Sequence, residues 1–368
     1  MVIDNDVSNR HMQRETIEDR KVVLTGNVRT VGEFAFYRCQ NLRELICEEG
    51  LETIGLCAFK ECNDLEKVVL PSTLKELNNG AFRGCSKLRE IQFIEGGVSN
   101  LTVGTTGVFM DCGDTETILR ILNEECERRK ANVLGEILEA MHKDPLFSQW
   151  YKDYKDAIAE FSSVKDWNNV KEETLERLIH RADSGIAFAG QGSMSNKVWE
   201  QTRNDPIYRS ICSDVVECNS EGDYLDMENE LRKEFLILTR HERSTQTGET
   251  TYAHKRMLYN RMICGLRPDF VAPIPNVKAT RDVHSWLRRN RFKIDDVADE
   301  KNGIDWFRKA ASIRRCMLKY LKIINKGDED IIIAWFIATL YRDTYAARKQ
   351  RDAAEFFRSL IERAGFII

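Results

Sequence analysis

The residues best suited to chemistry are basic and lie close together in the sequence. Residues 252–315 hold 15 Lys and Arg against 7 Asp and Glu, whereas the whole chain has a net charge of −4. Guanidinium groups bind phosphates through paired N–H groups, and aromatic rings such as those of Phe292, Trp306 and Phe307 stack on bases. The residues predicted to bind DNA or RNA are Arg281, His284, Arg288, Arg289, Arg291, Lys293, Arg308, Lys309, Arg314 and Arg315.

A helix over residues 279–292 would position the first of these groups. Its apolar residues recur with helical spacing and predict an inward stripe. A different face of the same helix holds Arg281, His284, Arg288 and Arg291. Two other interpretations remain open: a solvated face that pairs with acidic parts of the same chain, and a docking surface for an acidic protein.

Catalytic arrangements are weaker. Asp269, followed by the Asp-Glu-Lys run at 299–301, resembles the carboxylate–lysine pattern that holds Mg²⁺ in nucleases, but the second element lies in a polar segment that predicts a loop. The Gly-rich residues 185–193 lack the Gly-Lys-Ser/Thr ending of a phosphate loop. We therefore predict a non-enzymatic protein without metal or cofactor, with a nuclease that uses Asp269 and Lys301 as the alternative.

Composition indicates a folded, charge-rich protein. The chain has 368 residues, of which 42% are hydrophobic and 31% charged, with only 6 Pro. These values exclude collagen-like and wholly disordered chains and suggest two or three domains. The net negative charge argues against a general polyanion binder.

The ends and the cysteines predict the compartment. Residues 1–20 show no apolar stretch behind a basic start, and the longest apolar run, residues 331–341, is shorter than the roughly 18 residues of a membrane span. The 11 cysteines include no C-x-x-C pair. We expect reduced thiols, no membrane contact and a cytoplasmic location.

A repeat occupies the first third of the chain. An Ala-Phe pair followed by Cys and Leu begins at Ala35, Ala58 and Ala81, a step of 23 residues, and Val108-Phe109 follows after 27. Short pieces with strand-like alternation keep the same step. One such unit cannot bury its own apolar edge, whereas stacked units can, and the pattern therefore predicts a solenoid.

The repeat resembles the BspA-type leucine-rich repeat, whose core reads I-G-x-x-A-F-x-x-C-x-x-L. Residues 31–42 and 54–65 carry this core almost unchanged, and the resemblance covers residues 20–112. It implies a solenoid that binds proteins. We interpret the repeat cysteines as small apolar rungs rather than metal or redox sites. They are Cys39, Cys62, Cys85 and Cys112.

The predicted protein-binding surface consists of residues at or beside the repeat strands that are expected to point outward. They are Arg43, Glu44, Glu66, Lys67, Arg89, Glu90 and Gln92. Whether they point outward depends on the orientation of the strands.

From Glu116 onward the pattern is helical. Asp114-Thr115 offers an N-cap for a first helix. Further helices are predicted over 146–162, 169–182, 194–217, 223–241, 251–266, 279–292, 304–325 and 329–364. The fold class is therefore α+β in two parts: a terminal cap or disordered segment at 1–19, a solenoid over 20–115, and a helical domain over 116–368 that divides, if at all, near 183–193 or 243–250.

A second, shorter resemblance concerns the helical part. Residues 181–192 and 260–269 are similar to the DNA-sensing amino-terminal modules of McrB-like restriction systems, which implies a recognition subunit in bacterial defence. The predicted function is a recognition or adaptor protein, with a protein partner on the repeats and DNA or RNA on the basic residues. The alternative is a nuclease or a specificity subunit of a defence system.

Overall fold

The computed structural model describes residues 1–97, 101–143, 145–181, 194–239, 252–298, 304–326 and 362. These residues divide between two compact units, one formed by Met1–Glu136 together with Glu362 and the other lying within Ile137–Arg358. The predicted helix over 329–364 and the loops at 185–193 and 243–250 lie outside the described residues, apart from Glu362. No helix in the described ranges is long and apolar enough to cross a membrane.

The first unit contains a β-solenoid of about four turns, formed by residues 2–103. Two parallel sheets form its sides. The five-stranded sheet has the order β1-β2-β4-β6-β8 and the four-stranded sheet the order β3-β5-β7-β9. The strands are β1 Val2–Ile3, β2 Lys21–Leu24, β3 Thr30–Val31, β4 Glu44–Cys47, β5 Thr53–Ile54, β6 Lys67–Leu70, β7 Glu76–Leu77, β8 Glu90–Phe93 and β9 Thr102–Val103.

The 23-residue step of the repeat matches the register of β2, β4, β6 and β8 in the five-stranded sheet, so residues 23 apart pair on neighbouring strands. Val22 lies opposite Leu45, and Leu45 opposite Val68. All three side chains are buried, because alternate residues of each strand point into the solenoid.

The predicted stack of phenylalanines runs through the solenoid core. The ring centroids of Phe36 and Phe59 are 4.9 Å apart, those of Phe59 and Phe82 5.2 Å, and those of Phe82 and Phe109 5.3 Å. The rings of each pair are nearly parallel, with interplanar angles of 5°, 4° and 1°. The fourth copy therefore joins the stack despite its longer step, and most of the extra residues lie between β8 and β9.

Residues 1–19 continue the same ladder. β1 pairs with β2 in parallel, Val7 bridges to Val31, and Thr16 bridges to Gln40. Val7 and Ile17 are buried in the solenoid core. The amino-terminal segment thus contributes a further rung.

At the other end, helix α1 (Thr115–Lys143) covers the solenoid. The Asp114 carboxylate accepts a hydrogen bond from the Thr117 backbone N–H, as the sequence predicts for an N-cap. Ile118 and Leu122 of this helix are buried in the solenoid core. The division between the compact units falls inside α1, after Glu136, because the first turns of the helix pack on the repeats.

The second unit is helical. Its described elements are the end of α1, α2 Pro145–Ser163, a 3₁₀ turn Trp167–Asn169, α3 Glu172–Ile179, α4 Asn196–Thr202, α5 Pro206–Glu217, α6 Glu221–Leu238, α7 Tyr252–Leu266, α8 Val277–Arg289 and α9 Ile304–Ile323. The single helix predicted over 194–217 is wrong, because Asp205 caps a new helix whose first residue is Pro206. Aromatic residues that include Tyr208, Phe235 and Tyr259 fill the core.

Candidate protein-binding face

The exposed side of the five-stranded sheet carries side chains in three parallel rows. Because the strands are in register, residues 23 apart lie next to each other on this face. The leading row, just before each strand, consists of Arg20, Arg43, Glu66 and Arg89. The charged row, at each strand's first residue, consists of Lys21, Glu44, Lys67 and Glu90. The apolar row, two residues further along, consists of Val23, Ile46 and Val69 and ends at Gln92.

Charges of the charged row alternate in sign and pair across the strands. Lys21 Nζ lies 3.0 Å from Glu44 Oε2, and Lys67 Nζ lies 2.8 Å from Glu90 Oε1. The hydrogen bond to Glu90 is the main cause of a raised pKa at Lys67. These pairs are open to solvent on the outer side of the sheet and contribute little to stability, so their effect is to hold the side chains in an ordered pattern.

The leading row is only partly paired. Arg43 Nη1 lies 3.7 Å from Glu66 Oε1. Within the described part of the chain, Arg20 and Arg89 make no ion pair, although both are exposed. The row therefore carries positive charge at its two ends.

A groove of about 520 Å³ opens on this face around β4, β6 and β8. Its lining is charged, and it consists of Arg43, Glu44, Glu66, Lys67, Lys87, Arg89 and Glu90. Lys87 Nζ also pairs with Asp64 Oδ1 at 2.7 Å.

All seven residues predicted for protein binding lie on this face. Arg43, Glu66, Arg89, Glu90 and Gln92 are exposed, while Glu44 and Lys67 are half-buried. The strand orientation that the sequence left open is therefore the outward one. Their role in binding stays a prediction.

The residues predicted from the sequence did not include Lys21, Lys87 or the three apolar members of the apolar row, Val23, Ile46 and Val69. The 23-residue step alone identifies Lys21 as the partner of Glu44 and Val23 as the neighbour of Ile46. Val23, Ile46 and Val69 carry no distinguishing signal in the sequence, because they are typical strand residues and each is half-buried.

Several of the basic residues of 281–315 bind acidic groups or carbonyl oxygens of the same unit. Arg281 Nη2 donates to Asp305 Oδ2 at 2.6 Å, and Asp305 is fully buried. Arg288 pairs with Asp296 at 2.8 Å. Arg315 pairs with Glu221 and with Asp295, and Arg314 Nε donates to the carbonyl oxygen of Pro268.

Two of these residues are interior, which corrects the sequence prediction. His284 is 2% exposed, and its Nε2 lies 2.9 Å from the carbonyl oxygen of Asp295. Burial lowers its pKa. Lys309 is 3% exposed and donates to the carbonyl oxygen of Ala298. Helical spacing placed His284 off the apolar stripe, but the segment after α8 folds over it.

The aromatic residues beside the basic segment are also interior. Phe292, Trp306 and Phe307 are buried, and Trp306 Nε1 donates to the carbonyl oxygen of Ile274 at 2.8 Å. Buried rings offer no stacking surface to a base. Arg288, Arg289, Arg291, Lys293 and Arg308 remain exposed.

Asp269, the carboxylate of the nuclease-like pattern, forms an ion pair with a nearby arginine. Arg267 donates to both carboxylate oxygens of Asp269, at 2.9 and 2.7 Å. Although burial opposes it, this pairing lowers the pKa of Asp269. Residues 299–301, with Lys301, lie outside the described residues. Within the described ranges, no three His, Cys, Asp or Glu side chains come together as metal ligands.

The repeat cysteines act as donors inside the solenoid. Each Sγ lies within hydrogen-bonding distance of a carbonyl oxygen one turn back: Cys39 to Met12, Cys62 to Phe36, Cys85 to Phe59, and Cys112 to Phe82. Burial raises the pKa of Cys39 to about 12 and that of Cys112 to about 11. These thiols are protonated at neutral pH, which agrees with a packing role.

The comparisons with known proteins concern the repeats. Residues 14–125 match the model of the BspA type leucine rich repeat region, in six copies, and this part of the chain is therefore similar to BspA-type leucine-rich repeats. Searches of curated proteins and of solved structures found no match to the chain. Nothing in these comparisons supports the similarity to McrB-like modules, and most of residues 181–192 lie outside the described ranges.

Proposed function

We propose that this is a non-enzymatic recognition protein whose repeats bind another protein through the exposed face of the five-stranded sheet. The observation that carries the proposal is the arrangement of that face. Rows of charged and apolar side chains run across β2, β4, β6 and β8 at fixed register, next to an open groove.

A parallel ladder suits recognition because hydrogen bonds to neighbouring strands hold the backbone of each strand in register, on both sides for β2, β4 and β6 and on one side for β8. Side chains at equivalent positions therefore keep a constant spacing. Binding a partner then costs little conformational entropy, because few backbone or side-chain groups have to become ordered. The apolar row supplies contact area, and the charged rows supply polar groups that exclude poorly matched partners. The leucine-rich repeat match supports the same class of function.

Site-specific photocross-linking tests the proposal. A benzophenone amino acid replaces Ile46 on the apolar row, and a matched variant carries it at Thr53. Both positions lie in the same turn and are half-buried, but Thr53 belongs to the four-stranded sheet. We expect the cross-linker at position 46 to give a discrete protein adduct and the one at position 53 to give none. Adding Lys67→Glu to the position 46 variant should abolish its adduct. The same adducts from both positions, or no adduct from position 46, would refute the proposal.

A second function, nucleic-acid binding by the basic residues, has narrower support. Its favourable observation is that Arg289, Arg291 and Arg308 are exposed. Internal ion pairs and buried rings reduce what the segment offers to a phosphate backbone. A salt series with labelled DNA or RNA tests it, because phosphate contacts make affinity fall steeply with salt. Cleavage products with Mg²⁺ that vanish in Asp269→Ala would instead favour the nuclease alternative.

A further inference from the structure

The two arginines at the ends of the leading row define the ligand of the candidate face more closely. Arg20 and Arg89 stand at opposite ends of this row, and neither makes an ion pair within the described residues. Between them, Arg43 is matched by Glu66 at 3.7 Å. The row thus has a positive end, a neutral centre and a second positive end.

Backbone hydrogen bonds join the row into one ladder. Arg43 N donates to Arg20 O at 2.7 Å, Glu66 N to Arg43 O at 2.8 Å, and Arg89 N to Glu66 O at 3.1 Å. Each step crosses one strand spacing of about 4.8 Å, so the backbones of Arg20 and Arg89 are about 14 Å apart.

An extended chain has the matching repeat. It rises about 3.3 Å per residue, and residues an even number apart point to the same side. Acidic residues four positions apart on an extended segment are therefore about 13 Å apart and face one way. In a helix the same two residues would be only about 6 Å apart and would reach one arginine but not both.

We infer that the face binds an extended segment of a partner protein that presents two acidic side chains four residues apart, one to Arg20 and one to Arg89. This inference rests on the proposed function. The segment lies across the strands, and its central residue meets the Arg43–Glu66 pair. The residue types at the other positions are free to vary, because the exposed centre of the row carries no net charge.

The test is a selection of about nine-residue random peptides, displayed on phage, against the full chain. Enriched peptides are expected to carry Asp or Glu at positions i and i+4. A synthetic peptide with that spacing should lose affinity about threefold to fivefold in Arg20→Gln and in Arg89→Gln, and about tenfold or more in the double variant. A peptide of the same composition with its second acidic residue at i+2 should bind the unchanged protein about threefold to fivefold more weakly, because it reaches only one of the two arginines.

The matched control is Arg10→Gln/Arg14→Gln, which removes the same charge from two exposed arginines in the first turn segment, away from the sheet face. It should leave affinity unchanged, and thermal melts should show that all variants are folded. Enrichment without the i and i+4 acids, no enrichment at all, or equal binding by Arg20→Gln/Arg89→Gln would overturn the inference. Selected peptides that lack this spacing but lose binding in Lys67→Glu would overturn it while leaving the sheet face as the binding surface.

Discussion

The Arg129 guanidinium donates to the carbonyl oxygen of Pro71 at 3.0 Å, which ties helix α1 to the turn that carries β6 and β7. A second bond from Arg129 reaches the Leu74 carbonyl oxygen, and Nε donates to Glu125 Oε1 at 2.6 Å. Arg129 is fully buried and Glu125 nearly so. Arg129 thus donates to two backbone carbonyls of the connection between β6 and β7, and the Pro71 carbonyl accepts a second hydrogen bond from the Leu74 N–H.

Replacing Arg129 with Met should destabilise the repeat region by about 2–3 kcal/mol, because it removes a donor from the buried Glu125 carboxylate and from the Leu74 carbonyl. Arg128 still pairs with Glu125, and the Leu74 N–H still donates to the Pro71 carbonyl, which keeps the loss below that of a fully unpaired buried charge. Urea unfolding followed by far-UV circular dichroism measures the change. The control is Arg120→Met, which breaks only an exposed pair with Glu124 in the same helix and should cost about 0.5 kcal/mol or less. Equal effects of the two variants would contradict the anchoring role.

Cys57 occupies a left-handed backbone position that glycine takes in later turns. Its φ is 53°, and the equivalent residues Gly80 and Gly107 have φ of 64° and 48°. Cys57→Gly should raise the free energy of unfolding by about 0.5–1 kcal/mol, since glycine adopts this conformation without strain.

Two further substitutions check the cause. Cys57→Ala keeps a Cβ and should bring no gain. Gly80→Ala should destabilise by about 1 kcal/mol or more, because its φ is 64° and its Cβ would lie 3.0 Å from Cys57 Sγ. A gain in Cys57→Ala equal to that in Cys57→Gly would show that strain is not the reason.

The buried thiols predict a loss of stability at high pH. Burial raises the pKa of the Cys62 thiol well above its ordinary value of 9.0. An unfolded chain would lose this proton above about pH 9 while the folded chain keeps it, so the contribution is full below that pH and falls as the pH rises.

Cys62→Ala should therefore lose stability less steeply between about pH 9 and 11, by up to about 1.4 kcal/mol per pH unit relative to the unchanged chain. Urea unfolding at several pH values measures both slopes, and the common titration of Lys and Tyr cancels in the comparison. Identical slopes would contradict a protonated buried thiol.

Arg281 is predicted to stabilise the fold rather than to bind phosphate. Its partner Asp305 is fully buried, so Arg281→Ala should destabilise the helical unit by about 2 kcal/mol, a value reduced because the arginine is itself partly exposed. Arg288→Ala, whose partner Asp296 is exposed, should cost about 0.5 kcal/mol or less. Thermal unfolding measures both, and a fully stable Arg281→Ala with weakened DNA binding would reverse the assignment.

The solenoid was predictable from the spacing of the residues. A constant step of 23 residues identifies the neighbour of each rung by counting along the chain, and the stack of Phe36, Phe59 and Phe82 and the charged neighbours on the face follow from it. The helices were predictable as helices for the same kind of reason, because local periodicity and caps such as Asp114 reflect contacts within a few residues.

Contacts between distant segments depend instead on how the chain packs. Arg129 donates a hydrogen bond to the carbonyl oxygen of Leu74, which lies 55 residues earlier in the chain, and no spacing rule connects the two. His284 looked exposed on its own helix, yet the chain at Asp295 covers it. Some charges stay on the surface, as at Arg89, and others become internal partners, as at Arg281, because only the packing of separate elements fixes the distance between opposite charges.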